Sequence, residues 1–130
     1  MRSYPMQTAG AALAALALTA CGEDAPSAEA IAAGEKAFAP CATCHTVGKG
    51  EAHSLGPNLY GVYGRQAGTA EGFAYSPAMA SSGIVWRAAS LDAYLANPQG
   101  VVRGTSMVYE GVSDAEERAS IIAYLQSLQD

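Results

Sequence analysis

The sequence predicts an all-α domain built from short helices. Near each end of the chain, apolar or small residues recur three or four positions apart, which is the spacing of one helix face. No segment alternates apolar and polar residues for long enough to predict a sheet. The two predicted faces are Ile31, Gly34, Phe38 and Cys41 near the start, and Ile121, Tyr124, Leu125 and Leu128 near the end.

Local signals set the expected ends of the helices. The first helix is predicted over residues 28–42. The last is predicted to begin at a capping box in which the Ser113 and Glu116 side chains satisfy each other's backbone donors. A short helix over residues 91–96 must stop before Asn97-Pro98 because proline disfavours a helical residue before it. A further turn is expected to begin with Ser76 as cap and Pro77 at the first helical position, and to end near residue 83.

The first 20 residues differ from the rest of the chain and predict an export signal. Arg2 precedes an apolar run over residues 9–20, which is too short to span a bilayer. Leu18-Thr19-Ala20-Cys21 resembles a bacterial lipobox, in which the signal is cut before the cysteine and the sulfur carries a lipid. Ordinary cleavage after Ala15-Leu16-Ala17 and an uncut anchor are alternatives. We therefore expect a lipoprotein-type signal over residues 1–20, a lipid-anchored tether over 21–27 and one domain over 28–130.

The charge of the chain argues against some partners. Seven lysines and arginines face 12 acidic residues, which gives a formal charge of −5. Removal of Arg2 with the signal leaves six basic residues and a charge of −6. An acidic domain argues against binding nucleic acid or anionic lipid by charge.

The stretch CATCH, residues 41–45, holds two of the three cysteines and one of the two histidines. A thioredoxin-like disulfide would need a βαβ setting, which the sequence lacks. A zinc site needs four ligands, and only His53 adds a candidate. The third interpretation is C-x-x-C-H attachment of haem, with Cys41 and Cys44 bonded to the haem edge and His45 on the iron. A second axial ligand is then expected, and Met79 and Met107 remain once the signal is removed.

Four further segments extend the CATCH pattern in a fixed order: GPNLYGVYGR (56–65), GFAYSPAM (72–79), GIVW (83–86), and LDAYLANP with VRGTSM (91–98 and 102–107). Together with CATCH they resemble class I cytochromes c of the mitochondrial-like subgroup over residues 28–128. The resemblance implies the class I cytochrome c fold, with short helices around one covalently bound haem c and crossed terminal helices. Gly34 would let Tyr124 approach closely at that crossing.

The resemblance also implies roles for individual residues. Met107 would be the second axial ligand beside His45, and the Pro57 carbonyl would orient His45. Arg65, Tyr75 and Trp86 would surround the haem propionates, and Tyr94 and Thr105 would lie near Met107. His53 would hydrogen-bond backbone across the loop near Pro57. Met79 stands where relatives often carry a polar residue, and Gln99, Gly100 and Ser106 stand where mitochondrial relatives present lysines.

The expected function is electron transfer, not enzymatic catalysis, because a doubly ligated iron has no open site for substrate. Implied partners are a cytochrome bc complex, a terminal oxidase or a photosynthetic reaction centre, with a dehydrogenase as a further donor. The expected protein is a monomer on the periplasmic side of the membrane, held by a lipid on Cys21, or soluble in the periplasm if unlipidated. A ligand-binding or peroxidatic haem protein and a bound subunit of a respiratory complex remain alternatives.

Overall fold

The computed structural model describes residues 24–130 and shows an all-α domain, as predicted. The signal over residues 1–20 and the lipidation site at Cys21 lie outside the described residues. Within the described residues five α-helices follow one another: α1 (Ala28–Ala37), α2 (Pro77–Ala80), α3 (Ala88–Ala96), α4 (Pro98–Val101) and α5 (Ala115–Ser127). Residues 24–130 include no helix that is long and apolar enough to cross a bilayer.

Helix α1 is shorter than predicted and does not reach residue 42. The Ser27 side chain accepts the Ala30 amide at the N-terminus, as an N-cap does. After Ala37 the chain continues into a separate 3₁₀ turn at Cys41–Thr43. Pro40 explains the break, because it has no N–H to continue the helical ladder.

Three other helix ends depart from the sequence prediction. Helix α5 is capped by Asp114, whose carboxylate accepts the Glu117 amide at 2.7 Å, and not by Ser113. Helix α3 begins at Ala88, three residues early, because Ser90 Oγ accepts the Arg87 amide. Helix α2 has the predicted Ser76 cap and Pro77 start but ends at Ala80, before residue 83. Helix α4, a single turn, was not predicted.

The terminal helices cross, and Gly34 lies at the contact. Helices α1 and α5 share the most extensive helix–helix contact among the described residues. Gly34 packs directly on the Ser120 carbonyl and on Tyr124 Cβ. Beside this contact the Phe38 and Tyr124 rings lie 5.4 Å apart. A glycine is needed here because a side chain would occupy the space of the α5 backbone.

Helix α5 is also joined to α3, which positions both helices around the core. Arg118 Nε lies 2.7 Å from Asp92 Oδ1, and the Arg118 guanidinium also donates to the Val112 and Ser113 carbonyls. One face of each helix is buried in the core, through Leu91, Tyr94 and Leu95 of α3 and through Ile121 and Leu125 of α5.

We expect Gly34→Ala to destabilise the domain. Alanine in place of glycine favours a helix by about 1 kcal/mol. The new methyl group would overlap the Ser120 carbonyl, however, and overpacking of this kind costs about 1–3 kcal/mol or more. Urea unfolding of the haem-loaded protein should therefore show a lower midpoint. Ala32→Ser on the exposed face of α1 is the control, expected within about 0.5 kcal/mol of the parent. A more stable Gly34→Ala protein would contradict this helix crossing.

Candidate functional site

A cavity of about 500 Å³ lies at the centre of the domain, in the range of volumes that hold organic ligands. Its walls come from the CATCH turn, the loop over residues 55–76, helices α2, α3 and α5, and the segment over residues 105–109. Most of the lining is apolar or aromatic, and several lining residues belong to the core: Phe38, Val62, Met79, Trp86, Leu91, Tyr94, Leu95, Ile121 and Leu125. The cavity therefore favours a large, mainly apolar group.

The CATCH turn places both thiols and the imidazole on the cavity wall. The Cys41 amide donates to Phe38 O at 2.8 Å, and the His45 amide donates to Cys41 O at 2.9 Å. This turn brings Cys41, Cys44 and His45 to one wall, as expected for residues three and four apart on a helical turn. Burial raises the pKa of the Cys41 thiol, and its own backbone partly opposes the shift. Cys41 and Cys44 are not joined by a disulfide.

The His45 ring is fixed in one orientation and in one tautomer. Nδ1 lies 2.7 Å from the Pro57 carbonyl oxygen. Because a carbonyl can only accept, Nδ1 carries the proton and Nε2 keeps its lone pair. Burial lowers the pKa of His45, although the bond to Pro57 acts in the opposite direction. The Gly56 backbone lies so close to the ring that a side chain would meet Cε1 and Nδ1. His45 therefore presents a neutral nitrogen ligand, the form that binds metals.

Met107 lies in the wall of the same cavity, next to a buried pair of hydroxyl groups. Thr105 Oγ1 accepts the Met107 amide at 3.3 Å and lies 3.0 Å from the Tyr94 hydroxyl. Burial raises the pKa of Tyr94, against the effect of the Thr105 bond. The Trp86 ring packs on Tyr94 with the ring centres 5.0 Å apart. These contacts fix the backbone of Met107 beside the cavity.

Arg65 and Tyr75 are partly buried polar residues of the cavity wall. The Arg65 guanidinium donates to the carbonyls of Tyr60 at 3.1 Å and Asn58 at 3.4 Å. The Tyr75 hydroxyl accepts the Ala70 amide at 3.2 Å. Arg65 is the only lining residue with a fixed charge among those the structure describes. All the residues predicted to surround the haem therefore line this one cavity.

His53 connects two loops outside the cavity. Its Nδ1 accepts the Asn58 amide at 2.9 Å, next to Pro57 as predicted, so its Nε2 donates to Glu71 O at 2.8 Å. The Phe73 ring packs edge-on against it. These contacts give His53 a structural role.

Two residues near the site were not singled out by sequence reasoning for what they do here. Gly56 leaves room for the His45 ring, and Gln99 donates to two carbonyls beside Met107. Met79, which the sequence left as the other candidate thioether, also lies in the cavity wall. The quoted segment GPNLYGVYGR includes Gly56, but only the fold shows that its Cα meets His45.

The donor set fits haem c better than it fits a bare metal ion. The described residues contain no group of three or more His, Cys, Asp or Glu side chains arranged to hold a metal ion. The cavity instead offers two thiols on one wall, one neutral imidazole and one thioether, within apolar surroundings. Thiols can attach a haem edge, and imidazole and thioether can ligate its iron.

The comparisons with known proteins agree with this site. The family model for cytochrome c matches residues 31–129. Cytochrome c of Guizotia abyssinica is 47% identical over 105 residues, which covers 80% of this chain and 94% of that protein. Cytochrome c of Chlamydomonas reinhardtii is 46% identical over 104 residues, covering 79% and 92%. The structure of cytochrome cH from Methylobacterium extorquens is similar with a TM-score of 0.71 and 48% identity, covering 75% of this chain and 97% of that one.

Proposed function

This chain belongs to the cytochrome c family, and on that premise we propose that it carries single electrons between membrane-bound respiratory or photosynthetic complexes. It is an electron-transfer protein and not an enzyme, and its cofactor is one covalently attached haem c. One observation carries the proposal: two thiols, a neutral imidazole and a methionine line the same apolar cavity.

The haem-binding roles follow from the chemistry of these side chains. Haem c supplies reversible one-electron oxidation and reduction of its iron. Cys41 and Cys44 would hold the haem through two thioether bonds, which form by addition of each S–H across a vinyl group and need no oxidant. His45 Nε2 and the Met107 thioether would be the ligands to the iron, and the Pro57 carbonyl, by holding the proton on Nδ1, would leave the His45 Nε2 lone pair free for it. Methionine as an axial ligand raises the reduction potential.

The polar residues of the wall serve the charged edge of the haem. Buried propionates need hydrogen-bond donors, and Arg65, Tyr75 and Trp86 can supply N–H and O–H groups from the cavity wall. Tyr94 and Thr105 hold the backbone of Met107 by the hydrogen bonds described above. The apolar remainder of the wall excludes water, which limits the reorganisation that accompanies a change of charge on iron.

The cavity mouth suits an uncharged docking contact. Leu55 and Val108 both line the cavity and are 81% and 97% exposed. No lysine lines the cavity among the described residues. Steering by charge is therefore weak, and the contact with a partner should depend little on salt. We infer that the protein acts as a monomer toward a cytochrome bc complex as donor and a terminal oxidase or reaction centre as acceptor, with a dehydrogenase as a second donor.

A lipid anchor would let the domain meet its membrane partners even though electrostatic steering toward them is weak. In this proposal residues 1–20 are removed, Cys21 is lipidated, and the domain stays on the periplasmic side of the membrane. The tether over residues 21–27 reaches roughly 25 Å at ~3.5 Å per residue. The domain would then stay close to its membrane partners at a raised effective concentration.

We expect electron transfer to membranes to depend on the tether and little on salt. Two haem-loaded proteins are compared at equal concentration: the parent, and Cys21→Ser behind an ordinary cleavable signal. The soluble form should turn over more slowly with membranes that contain the partner complexes. Moderate salt should change the rate of the tethered form little, because screening acts mainly on exposed charges.

The outcome distinguishes the anchor from the electron-transfer reaction. A soluble form that works as fast as the parent would refute the anchor. A tethered form that loses most of its rate in moderate salt would refute apolar docking. If neither the tethered nor the soluble protein accepted electrons from these membranes, the membrane complexes would be refuted as partners.

A further inference from the structure

The segment that carries Met107 has almost no backbone support of its own. Its ends are fixed, with the Thr105 amide bonded to Val102 O at 3.0 Å and the Val112 amide bonded to Leu95 O at 2.8 Å. Between them, residues 106–111 make no backbone–backbone hydrogen bond with any other described residue. Side chains must therefore hold this stretch in place.

Two side chains supply that support. Thr105 Oγ1 accepts the Met107 amide, as described above. Gln99 acts from outside the segment: its Nε2 donates to Thr105 O at 3.0 Å and lies 3.4 Å from Met107 O. A side-chain amide has two N–H donors, so one NH₂ group can serve both carbonyls. Gln99 therefore joins the two residues on which the position of Met107 depends.

The backbone of Gln99 is itself firmly placed. It is the second residue of α4, directly after Pro98, whose side chain is less than 2% exposed. The Asn97 side chain caps the same turn by accepting the Gly100 amide at 3.0 Å. The Gln99 amide thus extends from a fixed turn to a segment that lacks backbone bonds of its own.

We propose that Gln99 is a positioning residue that holds the Met107 segment closed and so sets how readily an external ligand displaces Met107 from iron. The inference rests on Met107 as axial ligand, under Proposed function. An amide suits the place because it donates twice without adding a charge beside the uncharged mouth at Leu55 and Val108. The larger the fraction of molecules in which the Met107 segment is open, the lower the apparent affinity of the Met107 thioether for iron.

The test is a titration of the oxidised, haem-loaded protein with imidazole. Binding is measured as the loss of the charge-transfer band from the thioether to ferric iron. Gln99→Ala removes the donors, and Gln99→Glu keeps the shape but replaces the donors with acceptors. Both should bind imidazole roughly three- to ten-fold more tightly than the parent, the factor that one or two hydrogen bonds are worth. Gln129→Glu, which adds the same charge at an exposed position without a described side-chain hydrogen bond, should bind like the parent.

Each result has one meaning. Parent-like imidazole binding by both Gln99 variants would overturn the positioning role. An effect of Gln99→Glu without one of Gln99→Ala would also overturn it, because charge alone would then be the cause. If the urea midpoint of each variant fell as its imidazole affinity rose, the whole domain would be destabilised, and a specific positioning role for Gln99 would be overturned. If Met107→Ala left the band intact, the axial assignment itself would fail, independently of Gln99.

Discussion

Replacing both Cys41 and Cys44 with serine should leave a chain that neither holds haem nor folds. The cavity of about 500 Å³ occupies the centre of the domain, and core residues from α3 and α5 line it. Without its occupant, those walls would face a large void or water, and each large side chain left without packing costs about 2–5 kcal/mol. The total exceeds the 5–15 kcal/mol stability of ordinary proteins.

The helices cannot compensate for that loss. Helices α2 and α4 have four residues each, far below the length at which an isolated helix is stable in water. Among the described residues the contact at Gly34 between α1 and α5 is the most extensive helix pair, and Phe38, Ile121 and Leu125 beside it also line the cavity. Circular dichroism and urea unfolding should show a largely unfolded or degraded double variant without a cooperative transition. Thr43→Ser, an exposed change between the two cysteines that keeps the hydroxyl, should fold and load haem like the parent. A cooperative apo-domain from the double variant would contradict the prediction.

Features that depend on neighbouring residues in the chain could be predicted from the sequence. Ser76 caps α2 and Pro77 begins it, as the dipeptide indicated, because a capping side chain acts on amides two or three residues away. The CATCH spacing likewise placed both thiols and His45 on one wall. The fold class followed from helical spacing, and the comparisons confirm the family that the ordered motifs indicated.

Helix ends were less predictable where two local signals compete. Ser113 and Asp114 are both good caps, and the carboxylate at 114 is used while Arg118 binds the Ser113 carbonyl. The Arg118 position depends in turn on Asp92, 26 residues away, which no local pattern reveals. The predicted end of α1 was wrong by five residues, since Pro40 interrupts the helix before the CATCH turn.

Tertiary contacts of the site were beyond sequence reasoning. Gly56 meets the His45 ring and Gln99 meets the Met107 carbonyl only because the loops between them fold back, which no local pattern in the sequence reveals. Periodicity could not rank Met79 against Met107 either, and both line the cavity. The choice of Met107 comes from its motif and stays a prediction until the ligand is measured.

Replacing Met107 with alanine should change the spectrum, the ligand binding and the reduction potential of the haem. Alanine has no thioether, so the charge-transfer band of the oxidised protein should disappear. The vacated axial position should let carbon monoxide bind the reduced protein, which the doubly ligated parent resists. The reduction potential should fall, because thioether ligation is what raises it. Spectra, carbon monoxide titration and potentiometry of the haem-loaded variant measure the three effects.

The matched control is Met79→Ala, since Met79 supplies the other thioether of the same cavity and is itself buried. It should lose stability by about 2–5 kcal/mol, as methionine truncation in a core does, but keep the band and resist carbon monoxide. The Met79 amide donates to the Ser76 hydroxyl at the start of α2. That bond is separate from the Thr105 and Gln99 contacts that hold Met107. If Met79→Ala abolished the band and Met107→Ala did not, Met79 would be the ligand. The hydrogen bonds around Met107 would then serve the cavity wall alone.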